Sequence, residues 1–89
     1  MYIVYYSQWG WDLESTEYSK LIMMKFETTD AVRSYINDVH IPEIREEECL
    51  NGNPEITDDG NCIEYYFEEN SFHCSFEIIN IDDLKTFGA

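Results

Sequence analysis

The residues of this chain that are able to do chemistry are nearly all carboxylates. Nineteen Asp and Glu stand against five Lys and Arg in 89 residues, for a formal charge of −14. The rest of the reactive inventory is short: Cys49, Cys62 and Cys74, with His40 and His73. Glu55, Asp58, Asp59 and Asn61 gather oxygen ligands of the kind that suit a hard cation. A calcium loop of the EF-hand type, however, places acids at alternating positions, Gly at the sixth and Glu at the twelfth. With Gly60 as the sixth, Thr57 stands third and Tyr66 twelfth, so the pattern fails and a solvated loop is expected.

Zinc fares no better. His73 and Cys74 are neighbours in sequence, and neighbours on a strand point to opposite faces. His40, Cys49 and Cys62 lie too far apart to form a ligand motif. There is no G-x-S-x-G, no Gly-rich phosphate loop and no Cys beside a recognisable His-bearing motif. Carboxylate pairs such as Glu64 and Glu68 occur in any sequence this acidic and carry no specific acid–base signal. The expectation is a protein that is not an enzyme and uses neither metal nor cofactor.

What does stand out is where the acids lie. Over residues 43–83, thirteen acids face Arg45 alone, so that stretch holds −12 of the total charge of −14. Solubility does not require such segregation. Nucleic acid and anionic membranes are repelled by a field of this sign, and a basic protein is its natural complement. No electrostatic funnel of Lys and Arg accompanies the aromatic residues, which argues against direct nucleic-acid binding.

The elements that must position these acids follow from periodicity. Residues 1–9 are β-branched and aromatic, with Ile3, Tyr5 and Trp9 on one side and Tyr2, Val4 and Tyr6 on the other, which reads as an inner strand. A connection over 10–16 carries Trp9 and Trp11 at its start. Residues 17–27 alternate as a second strand whose polar face is broken by Leu21 and Met23, the mark of a bulge or of a second contact surface. Thr28 or Thr29 can cap a helix whose apolar stripe is Ala31, Val32, Tyr35, Ile36 and Val39. Pro42 is expected to stop it, with a short second helix starting there. Residues 51–61 are loop by composition.

Residues 62–69 and 72–81 then form a hairpin, with Ile63, Tyr65 and Phe67 facing inward with Phe72, Cys74, Phe76 and Ile78. Its outer face carries Glu64, Tyr66 and Glu68 against His73, Ser75 and Glu77. Leu84 and Phe87 are spaced to dock a terminal turn on the core. The predicted fold is therefore α+β in ββαββ order, a mainly antiparallel four-stranded sheet with one packed helix and a short second one. A single domain over residues 1–89 is expected, since a chain of this size buries roughly 60–65% of its unfolded surface.

Three cysteines without a C-x-x-C pair suit reduced thiols in a cytoplasm. The N-terminus lacks the basic and apolar regions of a signal peptide, and no run reaches the ~18–20 apolar residues that span a bilayer. Oligomeric state is left open between monomer and homodimer.

Side chains at i and i+2 on one strand face lie about 6.8 Å apart. That is twice the ~3.4 Å rise between successive phosphates of one nucleic-acid strand. Glu64, Glu68 and Glu77 on the hairpin, Glu69 at its tip, and Glu46, Glu47, Glu48, Asp58 and Asp59 beside it are thus a candidate imitation of a charged backbone, with Tyr66 and the Trp9/Trp11 loop as aromatic anchors. A short, strongly acidic chain with EIREEE, EITDDGN and EYYFEEN as its charge-bearing runs resembles, in composition, the small phage-encoded inhibitors that mimic DNA, anti-CRISPR proteins among them. The resemblance implies a phage or prophage origin, a bacterial cytosol, and as target a nuclease or other nucleic-acid-binding protein such as a CRISPR-Cas effector. An immunity protein or antitoxin covering a basic toxin site, and a structural module that oligomerises through Leu21 and Met23, are the alternative classes.

Overall fold

The computed structural model describes residues 1–10 and 17–84. Trp11 and Phe87, named above as a possible anchor and a docking residue, lie outside the described residues. Five strands form one antiparallel sheet: β1 (Tyr2–Gly10), β2 (Tyr18–Phe26), β3 (Glu55–Asp58), β4 (Cys62–Phe67) and β5 (Phe72–Asn80), in the spatial order β2-β1-β5-β4-β3. Helical residues between β2 and β3 cover one face. The fold class is α+β as expected, but the described residues form five strands rather than four, in the order ββαβββ.

The added strand is β3, within the stretch expected to be loop. Its four residues pair antiparallel with β4, from Glu55 opposite Tyr66 to Asp58 opposite Ile63. All four are exposed, so no apolar alternation advertises the strand. The turn to β4 is closed by side chains: Asp58 Oδ1 accepts from the Gly60 amide at 2.9 Å, and Asp59 Oδ1 accepts from Asn61 and Cys62 at 2.9 and 2.7 Å. Gly60 supplies the positive φ, +97°, that a side chain there resists.

β1 lies inside the sheet, bonded on both sides. Tyr2, Val4, Tyr6 and Gln8 turn toward the helix; Ile3, Tyr5, Ser7 and Trp9 turn away. Along β2 the pairing slips between Tyr2 opposite Phe26 and Val4 opposite Ile22. Three residues, Met23 to Lys25, thus oppose Ile3 alone, the bulge that the broken alternation around Leu21 and Met23 suggested.

Helix α1 (Thr29–Tyr35) begins at Thr28, whose extended backbone and Oγ1 cap the Ala31 amide at 3.0 Å. The helical path does not stop at Pro42. A π-turn over Ile36–His40, in which the Ile41 amide reaches the Ile36 carbonyl five residues back, leads straight into α2 (Ile41–Glu47) with Pro42 in its first turn. The fifth-residue bond re-spaces the hydrogen-bond ladder just where proline would clash with the carbonyl four residues behind it. It also shifts the helical phase by one position. Val39, expected on the buried stripe, is 41% exposed, and His40 takes its place at 6% beside Val32, Ile36 and Ile44.

Helix α2 ends in a Schellman arrangement: the Leu50 amide bonds the Arg45 carbonyl at 2.9 Å, with Cys49 left-handed at φ 53°. The core is continuous between the layers, centred on Val4, Tyr6, Val32, Ile36, Phe67, Cys74 and Phe76. Tyr65 reaches across to donate to Asn37 Oδ1 at 2.7 Å, tying sheet to helix.

Candidate interaction surface

The sheet face turned away from the helix carries no second layer among the described residues, and its register can be read row by row. One row is Glu55 on β3, Tyr66 on β4, His73 on β5 and Trp9 on β1. The three rings form a parallel column, Tyr66 against His73 at 4.3 Å and 19° and His73 against Trp9 at 5.2 Å and 3°. The next row is hydroxyl-rich: Thr57, Glu64, Ser75, Ser7 and Ser19. The third is Cys62, Glu77, Tyr5 and Leu21, with Cys62 Sγ 3.3 Å from Ser75 Oγ.

The carboxylates of this face therefore lie on a diagonal. Glu55 is opposite Tyr66, two residues along β4 from Glu64; Glu64 is opposite Ser75, two along β5 from Glu77. Diagonal neighbours on a sheet face stand about 7–8 Å apart. Glu64 and Glu77, both expected here, are placed on it and exposed. Glu55 completes the row; it had been read only as a loop acid. The Asp-Gly step between EIT and CIEYYF, a hairpin signal, was the trace of it in the sequence.

Glu68 and Glu69 are not on a strand. They belong to a 3₁₀ turn, Glu68–Asn70, and Ser71 after it is left-handed at φ 49°. β4 thus ends at Phe67, and Glu68 leaves the outer face where alternation had put it. The turn is stitched to the segment following α2: Asn70 accepts from the Asn51 amide at 3.0 Å and donates to the Cys49 carbonyl at 3.3 Å, and the Glu69 carboxylate packs against Gly52. Arg45 joins the same end, donating to the Gly52 carbonyl at 2.8 Å with its guanidinium over the Phe67 ring. Glu46, Glu47 and Glu48 at the end of α2 and Glu68 and Glu69 in the turn are in this way brought to one end of the molecule, the end toward which the diagonal runs at Glu55.

Asp58 and Asp59 are otherwise engaged. Asp58 takes both nitrogens of a bidentate pair from Arg33, at 2.9 and 3.0 Å. The Arg33 bond and the Gly60 amide hold its carboxyl below the usual carboxylate range, and the pair clamps the β3–β4 turn to α1. Asp59 caps its own turn. Among the described residues the only other ion pair joins Asp82 to the N-terminal amine, so Glu55, Glu64 and Glu77 have no basic partner there.

His73 and Cys74 do point to opposite faces, His73 into the ring column and Cys74 into the core, where burial pushes its thiol up to about 12. Among the described residues no three His, Cys, Asp or Glu are grouped as metal ligands, and no helix is long and apolar enough to cross a membrane. Comparison with protein-family models, curated proteins and solved structures finds no match to this chain.

Proposed function

We propose that this protein is a small acidic inhibitor that occupies the basic groove of a nucleic-acid-binding protein or nuclease as a mimic of nucleic acid, with no catalytic step of its own. The observation that carries this reading is the diagonal of Glu55, Glu64 and Glu77 on an uncovered sheet face, unpaired among the described residues. Charges on a sheet keep their spacing, so a partner meets them without first paying to order them. Glu68, Glu69 and Glu46 to Glu48 extend the negative field beyond the diagonal. Tyr66, at the free end of the ring column beside Glu55, offers a flat face to a partner guanidinium. The same chemistry serves an immunity protein covering a basic toxin. Anti-CRISPR action is one form of the proposal, with the target in the cytosol of a phage-infected bacterium.

The test is capture of partners from a lysate of the source cell with the wild-type chain and with E55Q/E64Q/E77Q, followed by competition with duplex DNA. Retention of a nucleic-acid-binding protein, released by salt, displaced by duplex and weakened at least tenfold in the triple variant, supports the proposal. A partner that ignores both salt and duplex refutes it. A second reading, an oligomerising module, is favoured by one observation: Met23 is 86% exposed on edge strand β2, with Leu21 and Met24 about half exposed beside it. A stable dimer burying those residues, indifferent to the triple substitution, would select it.

A further inference from the structure

Six asparagines stand in the chain, and Asn51 alone precedes a glycine. An Asn-Gly step is able to modify itself. The backbone nitrogen of the following residue attacks the side-chain carbonyl carbon, and glycine leaves that approach open because it has no Cβ. In a folded protein the step needs a carboxamide free to swing, an amide nitrogen not engaged as a donor, and access for water.

The fold supplies all three at Asn51. Asn51, Gly52 and Asn53 are exposed, in the segment between α2 and β3. Among the described residues, neither the Asn51 carboxamide nor the Gly52 amide has a hydrogen-bond partner. Two bonds anchor the segment, from the Asn51 amide to Asn70 Oδ1 at 3.0 Å and from Arg45 to the Gly52 carbonyl at 2.8 Å. Both use atoms outside the succinimide ring that the attack would form. Elsewhere the route is closed. Asn37 accepts from the Tyr65 hydroxyl within the π-turn, and Asn53 precedes Pro54, which has no N–H. The amides after Asn61, Asn70 and Asn80 donate to Asp59, Glu68 and Met1. The Asn70 carboxamide is itself held by Asn51 and Cys49. Two charges flank the open site: the Glu69 carboxylate, 3.2 Å from where a Gly52 Cβ would stand, opposes negative charge on the nitrogen, and the Arg45 guanidinium at the adjoining carbonyl offsets it.

We propose that Asn51 is a self-modification site, at which the Gly52 nitrogen closes on Asn51 Cγ. The nitrogen gives its proton to solvent, the new N–C bond expels the side-chain nitrogen as ammonia, and water then opens the succinimide at either carbonyl to aspartate or isoaspartate. Water is consumed and ammonia released, with no oxidant or reductant. The change adds a carboxylate beside Glu69, at the end of the molecule where α2 and the 3₁₀ turn already gather theirs. Isoaspartate also lengthens the main chain by a carbon between the Asn70 and Arg45 anchors. The site does not depend on the function proposed for the sheet face.

The wild-type chain and synthetic peptides spanning residues 46–56 and 66–75 are aged side by side in neutral and in mildly alkaline buffer. Peptide mapping by mass spectrometry, with isoaspartate standards, follows each asparagine. The expected result is isoaspartate at residue 51, faster at the higher pH, at a rate within about threefold of the peptide's, because exposed loops open at almost no cost. Asn70 should be slowed roughly thirtyfold against its own peptide by its two side-chain hydrogen bonds. Asn51→Gln, which requires a larger ring, should leave the position unmodified. Slowing of Asn51 as great as that of Asn70, earlier conversion of another asparagine, aspartate without isoaspartate, or equal ageing of the Asn51→Gln chain at that position would each overturn the proposal. The comparison with peptides uses the wild type alone and stands even where the variant fails to fold.

Discussion

His40 should make this protein acid-sensitive in a window where few carboxylates titrate. Burial first, and the Lys20 charge second, lower its pKa from 6.5 to about 4. The folded chain therefore refuses a proton that the unfolded chain accepts. Between those values the unfolded state binds more protons, so stability is complete above about pH 6.5 and falls as the pH drops toward 4. With 1.36 kcal/mol per pKa unit, the full effect is about 3 kcal/mol, of which about 2 kcal/mol is spent between pH 7.5 and pH 5. The nineteen acids pull the other way, because partial protonation relieves their repulsion. A comparison with H40F removes that contribution, since both proteins carry the same carboxylates. Phenylalanine retains a ring among Tyr6, Tyr35 and Phe76 and leaves no orphaned Nδ1, so the variant is expected to be at least as stable at pH 7.5. Urea unfolding at fixed ionic strength should show the wild type losing about 2 kcal/mol more than H40F between pH 7.5 and pH 5, a midpoint difference of about 1–2 M for a protein of this size. Parallel losses in the two proteins would refute the reasoning. So would an imidazole titration by NMR in the folded protein with its midpoint near 6.5.

Other outcomes follow from the same structure. Cys49 pays for a left-handed backbone at the end of α2, and Cys49→Gly should stabilise by about 1 kcal/mol, or roughly 4–8 °C in Tm; an unchanged or lower melting temperature would count against the strain argument. The thiols should alkylate in the order of their exposure, Cys49 before Cys62 and Cys74 last, since they are exposed, half-buried and buried; peptide mapping that found Cys74 modified early in the native protein would contradict the core placement. Arg33→Met, which leaves Asp58 without its bidentate partner, should cost about 0.5–1 kcal/mol and speed amide exchange in β3 relative to β5, and uniform exchange would exclude the clamp. Crowded unpaired carboxylates should make Tm rise with salt between about 10 and 500 mM, as screening shortens from ~30 Å to a few ångströms; a flat profile would show that their repulsion is not felt in the fold.

The features legible from sequence were those set by local periodicity. The inner placement of β1, the inward sets on β4 and β5, a threonine cap at 28 or 29 and a turn after β4 all follow from alternation or from a single side chain bonding its own neighbourhood, whereas which side of β1 meets the helix and which threonine caps it came from the structure. Glu64, Tyr66 and Glu77 could be assigned to the outer face for the same reason, since each belongs to a strand whose opposite face is core. Three things escaped that logic. β3 has no buried face, so its hydrophobic pattern is silent and only its pairing with β4 makes it a strand. The path through Pro42 depends on a hydrogen bond to the fifth residue back, and a template of 3.6 residues per turn selects Val39 where the fold buries His40. Glu68 left the outer face because the chain turns one residue earlier than alternation implied.

The sequence by itself determined that this is a folded α+β protein with its negative charge gathered in residues 43–83, because composition and periodicity are properties of short stretches. Only the tertiary structure decided which of those acids share a geometry. Pairing β3 to β4 and β4 to β5 placed Glu55, Glu64 and Glu77 on one diagonal, the Asn70 bonds drew Glu69 to the end of α2, and Arg33 took Asp58 out of the free set. The physical reason is that strand register and long-range hydrogen bonds join residues far apart in the chain, and no local pattern encodes which carboxylate will meet a partner and which will face solvent.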